Sequence, residues 1–153
     1  MTRRSFVLLV AALVVSSLSL QAGSTPVRAR TGMVASQSDI ASEVGFQVIK
    51  SGGNAIDAAV ATALALAVTH PTAGNIGGGG FIVFRPASGQ PTSFDFREAA
   101  PAGANAEMWL KDGTYDFDLH HNSHRSVGVP GTVAGLHMAW KELGSKPWKE
   151  LVA

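Results

Sequence analysis

The sequence contains no cysteine. That excludes disulfides, a thiol nucleophile and a lipid-modified cysteine at a cleavage site, so an exported form is held together by its core alone. Charge is sparse and balanced: 12 Lys and Arg against 11 Asp and Glu leave a formal net charge of +1. No basic block or stripe is present, which argues against nucleic acid as a partner. The apolar run at residues 6–20 (FVLLVAALVVSSLSL) falls short of the ~20 residues that a membrane-spanning helix needs. There is no internal repeat and no low-complexity tract. Glycine, by contrast, is abundant: 17 in 153 residues. Many backbone positions therefore require unusual angles or close approach.

The N-terminus has a plan of its own. Met1-Thr2-Arg3-Arg4 is basic, residues 6–20 are apolar, and Leu20-Gln21-Ala22-Gly23 ends in small residues. Basic, apolar, small is the order of a secretory signal peptide. The expected division is a signal at 1–22, a flexible lead-in at 23–31 and a folded part at 32–153. An uncleaved anchor is the competing reading, and Arg3-Arg4 alone does not make a twin-arginine signal. The localisation implied is exported, periplasmic or secreted. Removing the signal leaves roughly 125 residues, enough for one modest core.

In the mature part, GMVAS at 32–36 reads as a short buried strand. Asp39 is placed to cap a helix over 40–50, whose apolar positions Ile40, Val44, Val48 and Ile49 form a stripe. Ser51-Gly52-Gly53-Asn54 stops it. Asn54 is placed to cap a second helix, 55–69, that is apolar nearly all round and so belongs in the interior; Asp57 in its first turn suits the positive end of the helix dipole. FIVF at 81–84 and TSFDF at 92–96, joined by a Pro- and Gly-rich turn, read as a hairpin. A short helix is expected at 104–110, a turn at 111–113, a polar loop at 115–125 and a helix at 132–143 that Gly144 ends. Pro147 opens one more helical turn, and a helix opened so near Ala153 makes the chain read as cut. The fold class is mixed α/β (α+β).

Three features invite a functional reading. The glycine run at 77–80 lacks the strand–glycine–helix order of a phosphate-binding loop, so a structural loop is favoured. His120, His121 and His124, with Asp116 and Asp118 nearby, carry metal-ligand chemistry, but their spacing fixes no common point and a solvated loop is favoured. Arg97 is the third. It follows Phe94 and Phe96, which alternate like inward strand positions, and Asp95 and Glu98 flank it. A guanidinium cannot shed its charge: it reaches water or meets an anion. The structural reading is an ion pair with Asp95 or Glu98, Asp95 the better placed because strand alternation puts it on Arg97's side and Glu98 on the other; the functional reading is an anionic ligand.

Taken in order, GMVAS (32–36), SGGNAIDAAVATALALAVTHP (51–71), AGNIGGGGFIVF (73–84), DFREAAP (95–101) and SVGVPGTVAG (126–135) strongly resemble the N-terminal part of the large subunit of the gamma-glutamyltransferase (glutathione hydrolase) family. The resemblance covers the chain from about Gly32, and five motifs in register make it specific.

The resemblance implies an N-terminal-nucleophile hydrolase of four α/β/β/α layers, of which this chain is the N-terminal portion. It implies a precursor that cleaves itself into a large and a small subunit. The small subunit's new N-terminal threonine attacks the gamma-glutamyl amide of glutathione, its own α-amine serving as base. Water, or an amino acid or peptide acceptor, resolves the acyl-enzyme. No cofactor and no metal are implied; the partners are glutathione and other gamma-glutamyl compounds, the acceptors, and the small subunit. The arginine of the family's D-F-R-E pattern grips the substrate α-carboxylate, and Arg97 matches it. No segment here matches the nucleophile region, so no catalytic residue is assigned and these 153 residues alone are expected to be inactive. The competing readings are a related acylase and a non-catalytic exported remnant that kept a carboxylate pocket.

Overall fold

The computed structural model describes residues 26–153. The expected signal segment lies outside the described residues, and residues 26–31 carry no helix or strand and are exposed. Gly32 to Ala153 form one unit. Among the described residues no helix is long and apolar enough to cross a membrane.

Helix α1 spans Asp39–Lys50. Its cap is Ser38, one residue before the expected Asp39: the serine side chain accepts from the N–H of Ala41, and Asp39 falls into the first turn. Both residue types can cap, and Ser38 carries the extended backbone angles that the position requires. The helix ends as its glycines dictate. Gly52 adopts φ +89°, and the N–H groups of Gly52 and Gly53 donate to the carbonyls of Ile49 and Val48, the paired closure of a Schellman motif. The GMVAS stretch before α1 alternates in exposure but is not a strand. The corresponding expectation fails because no second strand pairs with it among the described residues, and an apolar run becomes a strand only when a ladder accepts it.

Asn54 caps helix α2, Ala55–Thr69, through a capping box. Its side chain accepts from the N–H of Ile56 and Asp57, and Asp57 reaches back to the N–H of Asn54. The buried face carries Ile56, Ala58, Val60, Ala61 and Thr62. Ala55 and Ala59 are exposed, the later turns are only half covered and Val68 is exposed, so the expected all-round burial is corrected: the helix buries one face, in its first half.

Strands β1 (Phe81–Phe84) and β2 (Thr92–Asp95) form the expected antiparallel hairpin, with Ile82 opposite Phe94 and Phe84 opposite Thr92. Phe96 extends the pairing one step, its N–H donating to the Gly80 carbonyl. Ile82, Phe84, Phe94 and Phe96 pack into the core with Ile56, Val60, Leu136, Ala139 and Leu151. Each fully buried side chain of this size contributes about 1.5–3 kcal/mol.

The segment 104–110 is a series of turns rather than the expected helix. Its last residue belongs to a second, small hairpin, β3 (Leu110–Lys111) with β4 (Thr114–Tyr115). Asp112 and Gly113 both take positive φ, 52° and 76°, as a two-residue primed turn demands. The polar stretch that follows is not a loop. Asp116 caps a short helix, α3 (Phe117–His121), by accepting from the N–H of Leu119, and a 3-10 turn covers His124–Ser126. Helix α4 (Thr132–Leu143) and helix α5 (Trp148–Val152), the latter entered through Pro147, complete the chain's described elements.

Candidate functional site around Arg97

Arg97 sits one residue past the hairpin, where the chain leaves the sheet. Asp95 is exposed, and its carboxylate accepts the backbone N–H of Arg97 at 3.1 Å. The expected side-chain pairing of Arg97 with Asp95 is therefore corrected. The guanidinium instead lies 4.0 Å from the Glu98 carboxylate. Strand β2 ends at Asp95 and its pairing at Phe96, so the rule that separates neighbours onto opposite faces no longer applies at 97 and 98. The Arg97 side chain is 69% exposed, and this is the one ion pair it makes among the described residues. An exposed contact at that distance contributes little. The fork remains open to a carboxylate from solution, which it can engage with two parallel bonds.

The backbone of Arg97 is confined as firmly as its side chain is free. A Cβ on Gly79 would lie 2.6 Å from the Phe96 carbonyl oxygen, 2.7 Å from the Arg97 Cα and 2.8 Å from the Glu98 nitrogen. A Cβ on Gly131 would collide with the Phe96 carbonyl oxygen as well and reach the Arg97 carbonyl oxygen at 3.2 Å. Only glycine allows both segments to approach so closely. Gly79 and Gly80 of the glycine run are thus a packing surface for DFREAAP. Just downstream, Ala99 and Val129 exchange two backbone hydrogen bonds, at 3.2 and 2.8 Å, so the SVGVPG stretch is docked on the same segment.

The two glycine walls are themselves joined. Helix α4 has no side-chain cap; the Gly78 carbonyl takes that role, accepting from the N–H of Gly131 at 2.8 Å and of Thr132 at 3.0 Å. Asn75 Oδ1 accepts from the Gly78 N–H at 2.7 Å and from the Thr132 hydroxyl at 2.8 Å. Nothing in the sequence marks Asn75 or Thr132 as members of the Arg97 neighbourhood, since 57 positions separate them. The one legible hint is an asparagine just before a glycine run.

The histidines stand elsewhere. His120 and His121 project from α3 into an aromatic cluster rather than a solvated loop. The His120 ring lies 4.7 Å from Trp109, and His121 stacks on Phe117 at 4.1 Å. The Tyr115 hydroxyl meets His120 Nδ1 at 2.9 Å. His121 Nδ1 lies 3.2 Å from the Phe117 carbonyl and 3.4 Å from the Tyr115 hydroxyl. His124 lies apart on the 3-10 turn. Among the described residues no three His, Asp or Glu side chains gather as a metal site would require.

Comparison with known proteins gives this arrangement its context. Residues 41–153 match the family model described as gamma-glutamyltranspeptidase. The chain is 52% identical over 128 residues to the glutathione hydrolase proenzyme of Escherichia coli (strain K12), covering 83% of this chain and 22% of that protein. Among solved structures, the Helicobacter pylori gamma-glutamyltranspeptidase superposes with a TM-score of 0.79 at 45% identity, over 84% of this chain and 37% of that one. A gamma-glutamyltranspeptidase from Pseudomonas nitroreducens complexed with L-DON gives 0.75 at 44%, over 81% and 37%. The chain therefore spans about a fifth of the length of the curated relatives it matches. Its mixed helix and sheet are part of the N-terminal-nucleophile hydrolase fold of these enzymes. From motif order, architecture and identity alike, the chain belongs to the gamma-glutamyltranspeptidase family.

Proposed function

We propose that the protein of which these residues form part is an exported gamma-glutamyltransferase and glutathione hydrolase. It cleaves the gamma-glutamyl amide of glutathione through an acyl-enzyme and passes the glutamyl group to water or to an amino acid or peptide. The nucleophile is the threonine released by self-cleavage of the precursor, and none of the threonines in these 153 residues is assigned that role. Arg97 binds the substrate α-carboxylate. The observation that carries the reading is an arginine whose guanidinium is open to solvent while its backbone is walled in by Gly79 and Gly131. A fixed root and a free fork suit capture of a small carboxylate. Holding the α-amino acid end then places the distant gamma carbon at the nucleophile.

The test is Arg97→Ala in the intact protein. Self-cleavage should proceed as in the wild type, because it involves the chain and not the substrate. A charge-assisted hydrogen bond contributes roughly 1.5–3 kcal/mol, so kcat/KM for glutathione should fall at least ~10-fold. A donor whose α-carboxylate is replaced by a neutral amide provides the control. The wild type should discriminate strongly against it, and Arg97→Ala should barely discriminate. Full preference for the free carboxylate in the mutant would assign Arg97 to structure alone.

A further inference from the structure

We infer that Asn75 and Thr132 are positioning residues for Arg97, setting the place of its guanidinium through the backbone. The inference rests on the proposed role of Arg97 in carboxylate binding. Among the described residues the Arg97 side chain makes a single ion-pair contact, at 4.0 Å, and it is 69% exposed. Its root is the Phe96-Arg97-Glu98 backbone, against which Gly79 and Gly131 pack at distances that leave no room for a Cβ.

The two glycine segments are linked to each other. The link is one small network. Gly78 accepts the first two N–H groups at the start of α4, and Asn75 Oδ1 accepts both the Gly78 N–H and the Thr132 hydroxyl. The Asn75 amide donates in turn to the Ala73 carbonyl at 3.2 Å. Both capacities of the amide are thus used, and flipping it would set an NH2 group against two donors. Thr132 is buried, at 6% exposure, so its hydroxyl meets Asn75 with little competition from water. Loss of either partner lets the glycine loop and the start of α4 drift apart, and the Arg97 backbone packed against both shifts with them. A shift of that kind reaches the substrate only through the carboxylate, which gives it a signature that general loosening lacks.

The experiment uses the intact protein and five variants: Thr132→Val, Thr132→Ser, Asn75→Ala, Arg97→Ala and the double variant Thr132→Val with Arg97→Ala. For each, kcat and KM are measured on a gamma-glutamyl donor with a free α-carboxylate and on its α-carboxamide. Thr132→Val should lower kcat/KM for the carboxylate donor about 5-fold, the worth of one ordinary hydrogen bond. It should change the amide donor less than about 2-fold and add nothing in the Arg97→Ala background. Thr132→Ser, which keeps the hydroxyl, should restore most of the loss. Should Thr132→Val not fold, Asn75→Ala carries the same comparison from the other partner. Equal losses on both donors, or full additivity with Arg97→Ala, would overturn the inference. Loss of carboxylate preference in Arg97→Ala alone, with Thr132→Val and Asn75→Ala unaffected, overturns it while leaving the role of Arg97 intact. Preference retained in Arg97→Ala overturns both.

Discussion

Asp57 and Ser145 are 88 positions apart in the chain, yet the Asp57 carboxylate accepts the backbone N–H of Ser145 at 3.0 Å and its hydroxyl as well. The same carboxylate accepts the N–H groups of Lys146 and Asn54. Asp57 is fully buried. It ties the start of α2 to the loop between α4 and α5, and Asn54 adds a bond to the Leu143 carbonyl at 2.7 Å.

Removing that carboxylate leaves several donors without partners. Asp57→Ala should cost at least about 1–3 kcal/mol, read as a lowered urea midpoint. Burial by itself pushes the Asp57 carboxyl up, but the Ser145 hydroxyl and the N–H groups of Asn54, Ser145 and Lys146 outweigh it and hold the group below its ordinary value. A depressed folded-state value gives stability that is complete above the unfolded carboxyl value of about 3.9 and is lost as pH falls through the folded one. Wild type should therefore lose stability below about pH 4 more steeply than Asp57→Asn does. Parallel acid profiles for the two would remove Asp57 from the acid response.

Gly131→Ala places a methyl group against the Phe96 carbonyl oxygen. Overpacking of this kind costs about 1–3 kcal/mol. The melting temperature should drop, and activity should drop with it because the same backbone carries Arg97. Gly77→Ala is the comparison, since nothing lies within 4 Å of its added Cβ. Equal tolerance at both positions would contradict the close approach.

Arg97→Lys keeps the charge and loses the fork. It should recover only part of the activity lost in Arg97→Ala, with KM for glutathione remaining raised in steady-state kinetics. Complete recovery would mean that charge alone, without paired geometry, is what the site uses.

We propose export with cleavage near Ala22, from the basic, apolar and small segments in order. N-terminal sequencing of secreted protein should begin between Gly23 and Arg30. A mature chain that still starts at Met1 and stays in the membrane fraction would refute it.

The outer face of β1 exposes Phe81 and Val83, at 60% and 78%, and each hairpin is a two-stranded sheet among the described residues. Exposed apolar surface beside open strand edges favours association. These 153 residues produced alone should self-associate and bind a hydrophobic dye. A monomeric, cooperative thermal transition by gel filtration and calorimetry would count against this.

The sequence by itself determined what depends on neighbours along the chain. Asp39 and Asn54 placed the starts of α1 and α2 within a residue, Gly52 ended α1, and alternating aromatics set the hairpin that delivers Arg97. Those are local effects of caps, φ angles and side-chain period. Five motifs in one order also carried the family. Tertiary structure decided the rest. GMVAS is not a strand because no ladder among the described residues receives it. Asp57 keeps its expected place in the first turn of α2 and is also a buried clasp, because Ser145 and Lys146 fold back onto it. Glu98, not Asp95, faces the Arg97 guanidinium because the strand has ended. The glycine run and Gly131 converge on Arg97 from positions that share no periodicity with it. Close approach of backbones depends on the whole packed fold, and no local pattern records it.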